Sequence, residues 1–161
     1  MPPFAMLVRP AVVVAVLLAL VAAGCGTPAP AGAALPPFKA IWDVKQLMEG
    51  PIVHAAEVFW GSVSTTLDKD GVTEKFPRSD EEWEQVRAAA MTIAESGNLL
   101  MIAPRARDGE WNALAAQLVD VGALAVTAAE SKDPEAILEA GERVYNVCTE
   151  CHAKFSMGAG D

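Results

Sequence analysis

Cys148, Cys151 and His152, close to the C-terminal end of the 161-residue chain, are the side chains with the most chemistry to offer. Two thiols separated by two residues are spaced to add across the two vinyl groups of one haem, and the imidazole that follows is placed to ligate its iron. Cys-x-x-Cys-His is the attachment pattern of c-type haem. On a helix these positions stand at i, i+3 and i+4, so all three side chains leave one face. A closed zinc site is a poorer reading, because it needs four Cys or His ligands and only Cys25 and His54 remain. A thioredoxin-like redox pair expects its thiols at a helix N-terminus, whereas these close the last helix that the sequence predicts.

The elements that must position this motif are helical, since apolar residues recur at three- and four-residue intervals. A first helix is expected from Phe38 to Thr66, with Ile41, Val44, Met48, Ile52, Ala55 and Phe59 as its apolar stripe and Pro51 kinking or dividing it. A second starts at Ser79, with Glu82 completing a capping box. It carries Trp83, Val86, Ala90, Ile93, Gly97, Leu100 and Met101 before Pro104. A third follows Asp108 with Trp111, Leu114, Ala115, Leu118, Val121, Gly122 and Ala125. The fourth takes Asp133 as N-cap and Pro134 at its first turn, and its stripe of Ile137, Leu138, Gly141, Val144 and Tyr145 leads directly into Cys148, Cys151 and His152. The predicted fold is all-α, an antiparallel four-helix bundle with the haem held covalently inside it. Gly141 would allow a ring or a neighbouring helix to approach closely. Trp42, Trp60, Trp83 and Trp111 are expected to pack the bundle.

Ahead of the bundle the chain changes character. Arg9 precedes an apolar run from Ala11 to Ala23, the pattern of a secretory signal, and the run is shorter than the ~20 residues of a membrane span. Ala22-Ala23-Gly24-Cys25 is similar to a bacterial lipobox, in which Cys25 is lipidated; in the alternative, cleavage near Ala31 or Ala33 discards it. Gly26 to Pro37 is uncharged and rich in Pro, Ala and Gly, the composition of a tether. The organisation predicted is therefore a signal peptide over 1–24, a tether over 25–37 and a cytochrome domain over 38–161.

The four helices, Cys148-x-x-Cys151-His152 near the end of the last, and Phe155 three residues beyond it resemble cytochrome c-prime and its low-spin relatives over roughly 38–155. Pro77-Arg78-Ser79-Asp80-Glu81-Glu82-Trp83 and Ala94-Glu95-Ser96-Gly97-Asn98-Leu99-Leu100-Met101 look like a bacterial subgroup of that family. Where many members carry a basic residue after the aromatic, this chain has Ser156. The resemblance implies haem c with its iron, thioethers at Cys148 and Cys151, His152 as proximal ligand, a distal-side residue from the first helix, and pairing of two chains through the first two helices. Met48 lies where the family presents either a methionine ligand or an apolar plug, so it is read as the axial ligand or as a flexible filler beside the haem. At ~100° per residue His54 is turned by about 240° from Met48, which makes it a flank residue. Met91 and Met101 are the other methionine candidates, with Met157 poorly placed. Arg105 and Arg107 are candidates to pair with a haem propionate.

With 21 Asp and Glu against 12 Lys and Arg, the net charge of −9 argues against nucleic acid and favours a basic redox partner protein. The expected function is an exported, periplasmic one-electron carrier, membrane-anchored if Cys25 is lipidated. The alternative is a five-coordinate haem that binds nitric oxide or carbon monoxide. An enzyme is not expected, since only His54 offers a start for distal acid-base chemistry.

Overall fold

The computed structural model describes residues 38–155. The signal, the tether, Cys25 and Met157 lie outside the described residues. Asp43 opens the first helix with a reciprocal cap: its carboxylate accepts from the Gln46 N–H at 2.8 Å, and the Gln46 side chain accepts from the Asp43 N–H at 3.1 Å. Helix α1 (Val44–Leu47) runs into a π-helical turn (Met48–Ile52) and on into α2 (Val53–Trp60). Pro51 lies inside the wide turn, where the Val53 N–H reaches back to the Met48 carbonyl in the i→i+5 pattern. Proline cannot donate, and its ring clashes with the preceding turn of a regular α-helix. One extra residue per turn absorbs both defects, so the chain neither breaks nor divides at Pro51. The helix expected over 38–66 is shorter than that at both ends, and Ile41 is 75% exposed rather than part of the buried stripe.

A hairpin replaces the predicted end of the first helix. Strands β1 (Ser64–Asp68) and β2 (Gly71–Lys75) pair antiparallel, with Leu67 opposite Val72 and Asp68 opposite Gly71. The Asp68 carboxylate accepts from the Asp70 N–H at 2.8 Å, and Gly71 takes a φ of +127° that a side chain would resist. Both strands are exposed along their whole length. Apart from this ribbon and the connecting segments the described chain is helical, a mostly helical fold compatible with the all-α expectation.

Helix α3 (Asp80–Leu100) begins with the expected capping box between Ser79 and Glu82, and α4 (Gly109–Ser131) with the Asp108 carboxylate accepting from the Trp111 N–H at 2.9 Å. Helix α5 (Pro134–Phe155) starts behind Asp133, whose carboxylate accepts from the Glu135 N–H at 3.0 Å. Three pairings show α3 and α4 to be antiparallel. Lys132 reaches Asp80 at one end, Gly122 lies against Ala94 in the middle, and the Trp111 indole N–H donates to the Leu100 carbonyl at 3.0 Å at the other. Helix α4 is long and apolar enough to span a bilayer by composition alone; here α3 packs along one side of it and α5 along another. The core is built from Phe59, Trp83, Ile93, Leu118, Ala125, Ile137 and Val144.

The α3–α4 contact depends on two glycines. A Cβ at Gly122 would stand 2.6 Å from the Ala94 Cα, and one at Gly97 would stand 2.5 Å from the Ala115 carbonyl oxygen. Backbone cannot yield as a side-chain tip can. Gly122→Ala is therefore expected to lose about 1–3 kcal/mol by overpacking, read as a shift in a urea or thermal transition. Gly109→Ala, where nothing lies within 4 Å, should stay within ~0.5 kcal/mol of the parent.

Candidate haem site

The inner face of α5 turns three residues of the motif toward a cavity, and α2 supplies the opposite wall. Cys148, Cys151 and His152 line this cavity together with Met48 and Ile52 of the π-turn and Val53, Ala56, Glu57 and Trp60 of α2. Leu100, Trp111, Leu114, Ala115 and Leu118 close it from α3 and α4. It encloses about 230 Å³, or about 870 Å³ counting its open mouth. Pockets for drug-sized ligands run from about 300 to 1,000 Å³, so a macrocycle seated here would occupy the mouth as well as the interior. The lining is apolar apart from Glu57 and His152. All four residues that the sequence singled out for haem thus border one space, and the π-turn at Pro51 is what carries Met48 to it.

The other candidates fall elsewhere. His54 is exposed and does not line the cavity. Met91 accepts from the Arg87 guanidinium at 2.9 Å on the outer face of α3, and Met101 packs half-buried against the core. Arg105 and Arg107 line a second groove, with residues of the segment ahead of α1. Trp60 and Trp111 are the tryptophans beside the cavity, Trp83 is in the core, and Trp42 is 56% exposed.

Two clamps hold α5 in place. The Trp60 indole N–H donates to the Gly141 carbonyl at 3.0 Å, and a Cβ at Gly141 would stand 3.2 Å from the same indole. The ring that Gly141 admits is therefore Trp60's. At the far end Phe155 meets Trp111 edge-on at 5.1 Å, the Arg107 guanidinium lies 4.4 Å over the Trp111 ring, and Lys154 pairs with Glu110 and, at 3.2 Å, with Glu150. Sequence reading had no means of selecting Trp111, Leu114 or Leu118 as cavity wall rather than core, because both roles need the same apolar stripe. The Trp60–Gly141 pairing was half-visible in the glycine.

Cys148 and Cys151 are free thiols. Burial pushes the Cys148 thiol up, with the neighbouring Cys151 adding to it. Burial also raises Cys151, against an opposing pull from the Arg107 cation. As donors for a bare ion the site is poor: among the described residues no group of three or more His, Cys, Asp or Glu could hold a metal. The donors lining the cavity are one imidazole, one thioether, two thiols and the Glu57 carboxylate, and the first four would suit iron arriving inside its own macrocycle. Searches against protein-family models, curated proteins and solved structures found no match to the chain.

The thiols give a pH prediction. A raised pKa means that the folded state holds the thiol proton more tightly than the unfolded chain does. Its contribution to stability is complete below the ordinary value of 9.0 and lost as pH climbs through the folded value. In the chain with both thiols free, alkylation by iodoacetamide should be slow at pH 7 and accelerate only above pH 9, with Cys148 lagging Cys151. Peptide mass spectrometry over a pH series reads both, and fast labelling of Cys148 at pH 7 would contradict the burial argument.

Proposed function

We propose that the chain is an exported c-type cytochrome of the cytochrome c-prime kind, a four-helix bundle serving as a one-electron carrier for redox partner proteins. The observation that carries the reading is the convergence of Met48, Cys148, Cys151 and His152 on one apolar cavity. When bound there, haem iron supplies a reversible one-electron change without making or breaking bonds in a substrate. Cys148 and Cys151 would hold the macrocycle through thioethers, and His152 from α5 and Met48 from the π-turn are the residues that would ligate its iron. Trp60, Trp111, Leu114 and Leu118 exclude water, which raises the cost of charge in the cavity and so bears on the reduction potential. On this reading the protein is not an enzyme, and residues 1–24 export it to the periplasm, where Cys25 anchors it by lipid. Pairing of two chains through their first helices belongs to the same family resemblance.

One observation favours the gas-binding alternative. The cavity that Met48 lines is walled mainly by apolar side chains, Ile52, Val53, Ala56, Leu100, Leu114 and Leu118 among them, so a plug that swings aside would leave an apolar pocket for nitric oxide or carbon monoxide.

The optical spectrum of the matured protein separates the two. Sharp low-spin bands, oxidised and reduced, that ignore carbon monoxide are expected. Met48→Leu should convert them to high-spin bands that shift with the gas; an unchanged low-spin spectrum in that variant would remove Met48 as axial ligand. For the attachment itself, Cys148→Ala with Cys151→Ala should leave a chain whose haem is lost to acidified organic solvent, while the parent retains it, and retention by the double variant would refute the thioether assignment.

A further inference from the structure

A second groove lies away from the haem cavity, between the segment ahead of α1 and the connection from α3 to α4. It is lined by Ile41, Trp42, Val44 and Lys45 on one side and by Arg105 and Arg107 on the other. Phe38, Ile41 and Trp42 are 67%, 75% and 56% exposed, a run of large apolar side chains that the fold leaves against water. Lys39 stands among them in sequence. Arg105 is the unusual member. Only 7% of it is exposed, its guanidinium spends one long hydrogen bond of 3.3 Å on the Trp42 carbonyl, and its Nε has no partner among the described residues. Buried donors of this kind are normally satisfied, so this guanidinium stays behind the exposed side chains as a fixed positive charge.

We propose that this groove docks on the anionic phospholipid surface of a membrane, with Phe38, Ile41 and Trp42 entering the headgroup region, the exposed Arg107 and Lys39 meeting lipid phosphates, and the buried Arg105 adding positive charge behind them. Aromatic side chains beside cations are what an interface of that kind selects. Charge points the same way. Three cations and Asp43 line the groove in a chain whose net charge is −9, so this face opposes the rest of the molecule in sign. Lys45 is partly engaged by Glu49, as an exposed and therefore weak pair. Chain length agrees as well. The proposal rests on the reading of Cys25 as a lipid anchor, from which Gly26 to Pro37 extend at most about 40 Å, and the exposed segment is where the described chain begins. Docking here would orient the bundle on the membrane instead of leaving it to rotate on its tether.

The test mixes the matured holoprotein with vesicles of phosphatidylglycerol and phosphatidylethanolamine and, separately, of phosphatidylcholine alone. Carbene footprinting then reads side-chain exposure over residues 38–46 and 102–107. Protection by the anionic vesicles only, abolished in 1 M salt and about fivefold weaker in affinity for Lys39→Ala, is the expected result. A lipid chain acting alone would hold the protein on both vesicle types with neither segment protected, which overturns the groove and leaves the anchor intact. Chain found to be unlipidated yet still protected by anionic vesicles keeps the groove and removes the anchor. Protection without vesicles, whether from inorganic phosphate or from the chain's own N-terminal segment, overturns the proposal. So does an Arg107→Gln variant with a shifted reduction potential and unaltered vesicle binding, because that guanidinium would then belong to a haem propionate.

Discussion

A single helical face carries Cys148, Cys151 and His152, so everything else in the structure is constrained to keep a space open in front of that face. Close-packed helices would close it, since side chains on facing helices interdigitate at 8–10 Å between axes. The sequence resolves this by grading residue size along the seams. Where α3 meets α4, Gly97 and Gly122 let backbones touch, Gly97 against the cavity-lining Ala115. Trp60 and Trp111 stand at the cavity as well, each with its indole N–H tied to a carbonyl of a neighbouring helix. The buried Trp111 indole needs that partner, and for both rings the bond fixes the side chain as a strut. Removing the small residues or the large ones would have opposite effects on the same gap.

The cavity's lining is almost wholly apolar, and its mouth is open, so this surface meets water unless an apolar group covers it. Interiors are otherwise close-packed, so a gap of this extent in a well-capped helical fold is physically sensible where an apolar group fills it. The same burial explains why the thiols are held protonated: they sit where a thiolate would be poorly solvated, and the Arg107 and Lys154 cations offset that only in part at Cys151.

What was legible in the sequence was mainly local. Ser79 with Glu82, Asp108, and Asp133 with Pro134 mark helix starts through short-range hydrogen bonds, and each helix begins where those residues stand. The hairpin was missed because Phe59, Val63 and Leu67 continue a four-residue spacing that mimics a helix, although Asp70-Gly71 is a turn signal. Pro51 was read as a kink or a break, and the third possibility, a widened turn, leaves no separate mark in composition. It matters for the site, because the extra residue rotates the start of the first helix relative to α2, so that Met48 and Trp60 border one cavity while Ala55 and Phe59 face the core. Cavity wall and core are made of the same residue types, and only the three-dimensional arrangement separates Leu114 and Leu118 from Ile93.

Placing the chemistry at the end of a helix carries a physical risk, since the last turns have unpaired carbonyls and fray first. Cys148, Cys151 and His152 all fall within the final two turns of α5. The contacts gathered there oppose fraying from several directions: Phe155 against Trp111, Arg107 over the same ring, and Lys154 between Glu110 and Glu150. Each surface ion pair alone is weak, and a basic side chain in the last turn gains only modestly from the helix dipole. Acting on one turn, however, they tie the end of α5 to the start of α4, whose own first turn is fixed by Asp108 and by the Trp111 bond to α3. The imidazole of His152 is thereby carried on a segment braced by two other helices. On the reading proposed above, such bracing would serve an axial ligand, because small changes in its orientation would alter both iron coordination and reduction potential.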